Sequence, residues 1–249
     1  LAVILALVTS CAGVDKPETR PRLSVEEQRF VVPPSTGYPL TLRPGESDRV
    51  DSAFQSMVRE GEKEQALALS QQLLGRNANF HPAIVLAAQV AFLDGDFNRA
   101  QQLLTPSPAE LSEYTSWQLL LGRSAEKQSD LVVAFEAYDN GANVSADARG
   151  KTEELRSRVA QILAQRIEDD LKRGRTEEAS AELARLEGWL PEESLTLESA
   201  AEVARAIGDP EAELRAVARL SGRDPANRSL AERRATLELE VGDAGAGLR

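Results

Sequence analysis

Small residues recur along this chain at one fixed interval. Gly61 and Gly95 lie 34 residues apart, Gly174, Gly208 and Gly242 repeat that spacing, and Ala66, Ala100 and Ala134 share it, as do Pro191 and Pro225. Ser129 stands where the next glycine of the first series belongs, and from Ser129 to Gly174 is 45 residues, so an insertion of 11 residues falls near 139–150. A period of this length marks stacked supersecondary units, each too small to bury its apolar face alone. The fold class expected is therefore all-α: an α-solenoid of about five to six helical hairpins.

The local pattern agrees. Ile84, Ala87, Ala88 and Ala91 recur at helical spacing, Asp94-Gly95-Asp96 reads as a turn, and Phe97, Ala100, Leu103 and Leu104 stripe the next helix. Leu121, Gly122 and Ala125 followed by Leu131, Ala134 and Tyr138 repeat the arrangement. Hydrophobic residues make up 42% of the chain but aromatics only 4%, so the core is built mainly of Ala and Leu, which favours close-packed helices over sheets. Helix axes approach closely only where side chains are small, a turn glycine can adopt positive φ, and Pro191 and Pro225 stop the second helix of their units.

With these residues in view, the chain resembles the tetratricopeptide repeat (TPR) family over about residues 47–249. Leu121-Gly122 with Ala134, Gly95-x-Phe97-x-x-Ala100, and Gly174 with Ala179 and Pro191 carry the match. Lys63, Thr176 and Pro210 replace the family's aromatic after the turn, and the repeat alanine of the last two units falls one position early, at Ala212 and Ala246. The last unit reads as truncated inside its second helix, with Gly242 as its turn. The resemblance implies a protein-binding scaffold whose first helices line a concave groove. In the family's register, Gln55, Arg59, Gln89, Phe92 and Arg123 face that groove, as do Glu126, Lys127, Glu168, Lys172, Glu198 and Arg205. That surface is amphoteric, with one exposed aromatic at Phe92, and suits an extended peptide or a partner helix.

Residues 1–10 read as the remnant of a signal peptide, an apolar run too short to span a bilayer. Leu7-Val8-Thr9-Ser10-Cys11 resembles the bacterial lipobox, which implies cleavage before Cys11 and diacylglycerol on its sulfur, a stable multi-chain anchor. Ala12 in place of Asp points to the outer membrane, facing the periplasm. Residues 11–46 then form a Pro-rich tether: Pro17, Pro21, Pro33, Pro34, Pro39 and Pro44 favour extended, semi-rigid chain. Phe30-Val31-Val32 and Tyr38-Pro39-Leu40 are apolar enough to dock on the first helices instead.

Charge and composition narrow the chemistry. The net charge of −11 weighs against nucleic acid and anionic surfaces as main partners. One His (His81) and one Cys rule out a His/Cys metal cage, and no phosphate loop, nucleophile elbow or dinucleotide fingerprint appears. Glu168-Asp169-Asp170 is a helix run whose carboxylates point about 100° apart, a solvated face and not an acid/base pair. The expectation is a non-enzymatic scaffold without metal or cofactor, anchored to the membrane by its lipid and binding an envelope protein or peptide. The resemblance suggests outer-membrane protein, pilus or secretin, or peptidoglycan-enzyme assembly. The alternative is a self-associating spacer with an empty groove; light scattering on the tether-free protein separates the two.

Overall fold

The 34-residue phase reappears as backbone geometry. In the computed structural model, which describes residues 31–40, 45–105 and 109–246, Gly61, Gly95, Gly174 and Gly208 have φ of 77°, 81°, 71° and 77°. Ser129, in the glycine's place, has φ of 62° and is the one non-glycine with positive φ among the described residues. In four of these turns the following N–H, that of Asp96, Asp130, Arg175 or Asp209, donates to the carbonyl five residues earlier, each time at 2.9 Å. This is a Schellman closure, which satisfies the carbonyls that a helix end leaves open. Asp96, Asp130 and Asp209 then turn their carboxylates onto the N–H of Arg99, Val133 and Ala212, so one two-residue turn both ends a helix and caps the next.

These turns join eleven α-helices among the described residues, where no strand occurs: α1 (Glu46–Glu60), α2 (Lys63–Arg76), α3 (His81–Leu93), α4 (Phe97–Leu104), α5 (Thr115–Lys127), α6 (Leu131–Gly141), α7 (Ala146–Lys172), α8 (Thr176–Trp189), α9 (Ser194–Ile207), α10 (Pro210–Arg223) and α11 (Arg228–Ala246). Each helix packs on the next, and α1, α3 and α5 also pack in a row, as α7 and α9 do. The chain is all-α, with consecutive packing consistent with a helical-repeat solenoid. Its core runs as three successive clusters, from α1 to α5, from α5 to α9, and a small one of Ala201, Ala216, Val217 and Leu237 at the C-terminal end. No helix among the described residues is long and apolar enough to cross a membrane.

Ala66, Ala100, Ala134 and Ala179 are each wholly buried in the second helix of their units. Gly122 is tighter still: a Cβ there would come within 2.5 Å of the Tyr138 ring. Lys63, which replaces an aromatic, ties the first turn to the second by donating from Nζ to Leu93 O at 2.9 Å and to Asp94 Oδ1 at 2.8 Å. Helices α8 and α10 end two residues before Pro191 and Pro225.

The surplus near 139–150 leads into α7, 27 residues long, whose stripe of Ala148, Thr152, Leu155, Val159, Leu163 and Ile167 is buried throughout. Two expectations need correction. Gly242 is not a turn: α11 continues through it, with Ala246 in the same helix. Nor does the repeat alanine shift to Ala212 in the fifth unit, because the position five residues after Gly208 is held by Glu213, only 2% exposed. Its carboxylate is neutralised by Arg205 from α9 and Arg233 from α11, an ionic solution to a contact that the other units make with a methyl group.

Candidate peptide-binding face

The row of first helices is where the register places a groove, and in the N-terminal half that row is covered by the chain itself. Residues 31–40 do not extend away as a tether; they cross α1, α3 and the start of α5, as the docking alternative anticipates for Val31-Val32 and Tyr38, while Leu40 stays exposed. Val31 and Pro34 are buried and Val32 and Tyr38 half-buried. Cys11, Phe30 and the apolar run 1–8 lie outside the described residues.

Main-chain capture holds the segment. Gln89 Nε2 donates to Val32 O at 2.6 Å, Ser116 Oγ to Pro33 O at 2.6 Å, and the Tyr114 hydroxyl to Pro34 O. The Ser116 N–H donates to Thr36 O at 3.2 Å. In the other direction the Ser35 N–H and hydroxyl both donate to the Asp51 carboxylate of α1. A turn closed by Thr36 N–H on Pro33 O bends the segment, and Gly37, at φ 71°, lets it pass over Thr115, whose Oγ1 would lie 2.4 Å from a Cβ there.

An aromatic cluster flanks this turn. The Tyr38 ring lies 5.1 Å from that of Tyr114 and 6.0 Å from His81, and His81 meets Trp117 edge-on at 5.8 Å. His81 Nδ1 is 3.4 Å from the Tyr38 hydroxyl, and burial lowers its pKa against the opposing pull of Glu110. Burial also pushes the hydroxyls of Tyr114 and Tyr38 upward, so both stay protonated, as hydrogen-bond donors must.

Beyond the segment, the face carries an ionic brace. Glu126 accepts from Arg123 at 2.9 Å, from the Tyr138 hydroxyl at 2.9 Å and from Lys151 at 3.1 Å, linking α5, α6 and α7. Burial alone would raise the Glu126 carboxyl, but these three hydrogen bonds outweigh it and hold it below its ordinary value.

The residues assigned to the groove thus fall into three groups. Gln89, Phe92 and Arg123 are buried; the exposed aromatic expected at Phe92 is instead a core ring stacked edge-on against Phe97 at 5.2 Å. Gln55 and Glu126 are half-buried, Glu126 at the centre of the brace. Arg59, Lys127, Glu168, Lys172, Glu198 and Arg205 are exposed, with Glu168 and Lys172 paired to each other and Arg205 committed to Glu213. Sequence reasoning missed Asp51, Tyr114 and Ser116. The one available signal was compositional: two of the three tyrosines and one of the two tryptophans gather beside the single histidine.

No protein-family model matches this chain, and no curated protein matches it significantly.

Proposed function

We propose that this chain is a lipid-anchored, non-catalytic adaptor of the bacterial cell envelope, built of TPR-type hairpins, whose first-helix face binds an extended segment of a protein partner. The observation that carries this reading is the capture of residues 32–36 by their main-chain carbonyls from Gln89, Tyr114 and Ser116. A face that holds one non-helical segment through its backbone suits another, because such contacts demand little of the side chains. The side chains gathered there act as hydrogen-bond partners of a main chain and as an ionic brace between helices.

Anchoring at the outer membrane, on the periplasmic side, rests on the run Leu7 to Cys11 and on Ala12. Cys11→Ser is expected to move the protein from the membrane fraction to the soluble periplasm; unchanged fractionation overturns this part. The adaptor role is tested by photo-crosslinking in cells from Glu168 and Glu198, exposed positions on α7 and α9, which pack on each other. One dominant envelope protein is expected among the adducts. Adducts only with further copies of this chain would replace the adaptor by a self-associating spacer.

A further inference from the structure

The docked segment is a poor match to its site in one respect. Gln89 is wholly buried and its Nε2 is used, yet its Oε1 has no hydrogen-bond partner among the described residues. Natural proteins rarely leave a buried acceptor open, because the lost hydration is not repaid. The rest of the wall shows what it was built to hold. Facing residues 32–36 it presents donors, Gln89 Nε2, the Tyr114 hydroxyl, and the Ser116 hydroxyl and N–H, against one acceptor group, Asp51. Pro33-Pro34 fits such a wall: two consecutive prolines offer carbonyls, bring no N–H in need of an acceptor, and Pro34 presets the second position of the turn that Thr36 N–H closes on Pro33 O.

Resting on the peptide-binding reading above, we infer that residues 31–38 are a cis occupant of a site for proline-containing turn segments, and that a partner segment must displace them. A partner that also brings a donor to Gln89 Oε1 satisfies the group the cis segment leaves open, which gives it the advantage needed for exchange. The segment is joined to α1 through residues 39–45, so its effective concentration at the site is on the order of millimolar. With an intrinsic affinity of the detached segment of about 10 µM, its occupancy in cis weakens the apparent binding of any competitor by about 100-fold. The contact serves as a gate: the face opens to a partner only when the competitor is abundant, tethered nearby or better matched.

The test uses the full chain with a protease site placed within residues 41–44 and cut after folding. A fluorescent peptide with the sequence of residues 30–40 serves as the probe, followed by anisotropy. Uncut protein is expected to bind it weakly, and cut protein, after removal of the released N-terminal fragment, about 100-fold more tightly. Tyr114→Phe combined with Ser116→Ala is expected to weaken binding to the cut form at least ten-fold, and so is replacement of both prolines in the peptide by alanine. Gly37→Val offers a second route, since the added side chain collides with Thr115 and expels the turn without cutting; helix content by circular dichroism confirms that α1–α11 persist. Cut protein that keeps its fragment and takes up no probe, or a probe indifferent to these substitutions, overturns the inference and makes residues 31–38 a fixed part of the core. The outcome is independent of cellular crosslinking, so a failed adaptor reading and a failed gate are told apart.

Discussion

Gln89 on α3 donates to the carbonyl of Val32 across 57 residues of sequence, at 2.6 Å, while the other atom of the same amide, Oε1, is buried without a partner. On the reading proposed above, the pair is half of a recognition unit. An amide buried for stability alone would be expected to use both ends or to be replaced by an apolar side chain.

That argument gives a contrast between two substitutions. Gln89→Leu loses a hydrogen bond of about 1 kcal/mol but also removes an unsatisfied acceptor costing about 1–3 kcal/mol, so its thermal midpoint is expected at or above wild type. Gln89→Ala removes the same groups and leaves a void, so it is expected to lose about 1–3 kcal/mol. Both are read by thermal unfolding followed by circular dichroism. Equal destabilisation by the two would mean that Oε1 is satisfied in solution.

Gly122 and Gly150 give a second contrast. A Cβ at Gly122 meets the Tyr138 ring, which is wholly buried and bonded to Glu126, so Gly122→Ala overpacks the α5–α6 contact and is expected to cost about 1–3 kcal/mol. At Gly150, exposed on α7 with nothing within 4 Å of an added Cβ, the same substitution is expected to stabilise by about 0.5–1 kcal/mol. Chemical denaturation measures both, and a stabilised Gly122→Ala would show that α5 and α6 sit further apart.

Ser129 is the repeat position where glycine is missing, at φ 62°. A left-handed conformation costs an ordinary residue about 1–2 kcal/mol, of which glycine returns part through its freedom in the unfolded chain. Ser129→Gly is therefore expected to raise stability by about 0.5–1 kcal/mol, seen as a rise in the thermal midpoint. A fall would mean that the serine makes a compensating contact.

How far the sequence could be read follows from what kind of signal each feature leaves. Turn glycines and buried alanines are local requirements of backbone conformation and axis distance, so they recur in phase, and Ser129 was identifiable from its place in the series. Residues 31–40 left an ambiguous signal: proline density dictates extended chain but says nothing about what the chain lies on. Gln89 was assigned to the groove because a register marks the inward side of a first helix. Whether that side is open depends on a segment more than fifty residues away. Glu213 was hidden differently, since a charge at a small-residue position reads as a register slip until its partners on two other helices are known. Gly242 shows the converse, a glycine in phase that no turn requires.

Glu213 supplies the last prediction. It sits at a repeat-alanine position with its carboxylate held by Arg205 at 2.7 Å and Arg233 at 2.7 Å, while the arginine side chains keep 56% and 34% of their exposure. The asymmetry of burial decides the cost of breaking the triad. Removing both arginines strands a buried carboxylate, and Arg205→Ala with Arg233→Ala is expected to cost about 3–5 kcal/mol or to force Glu213 to bind a proton. Glu213→Ala instead restores the methyl group that Ala66, Ala100, Ala134 and Ala179 place at this crossing, and leaves two arginines that water can reach, so it is expected to change stability by less than about 1 kcal/mol. The pH dependence has a definite sign. Hydrogen bonding from Arg233 first, then from Arg205, outweighs burial and holds the Glu213 carboxyl below its ordinary value. A group whose folded pKa is depressed contributes stability above the unfolded value, about 4.3 for glutamate, and loses it as pH falls through the folded value. Wild type is thus expected to lose α9–α11 packing as the solution is acidified below about pH 4.3, and Glu213→Ala to lose less over the same range. Hydrogen exchange of the α11 amides between neutral and acid pH measures the difference. Identical acid sensitivity in the two proteins would remove Glu213 as the group that couples the C-terminal helices to pH.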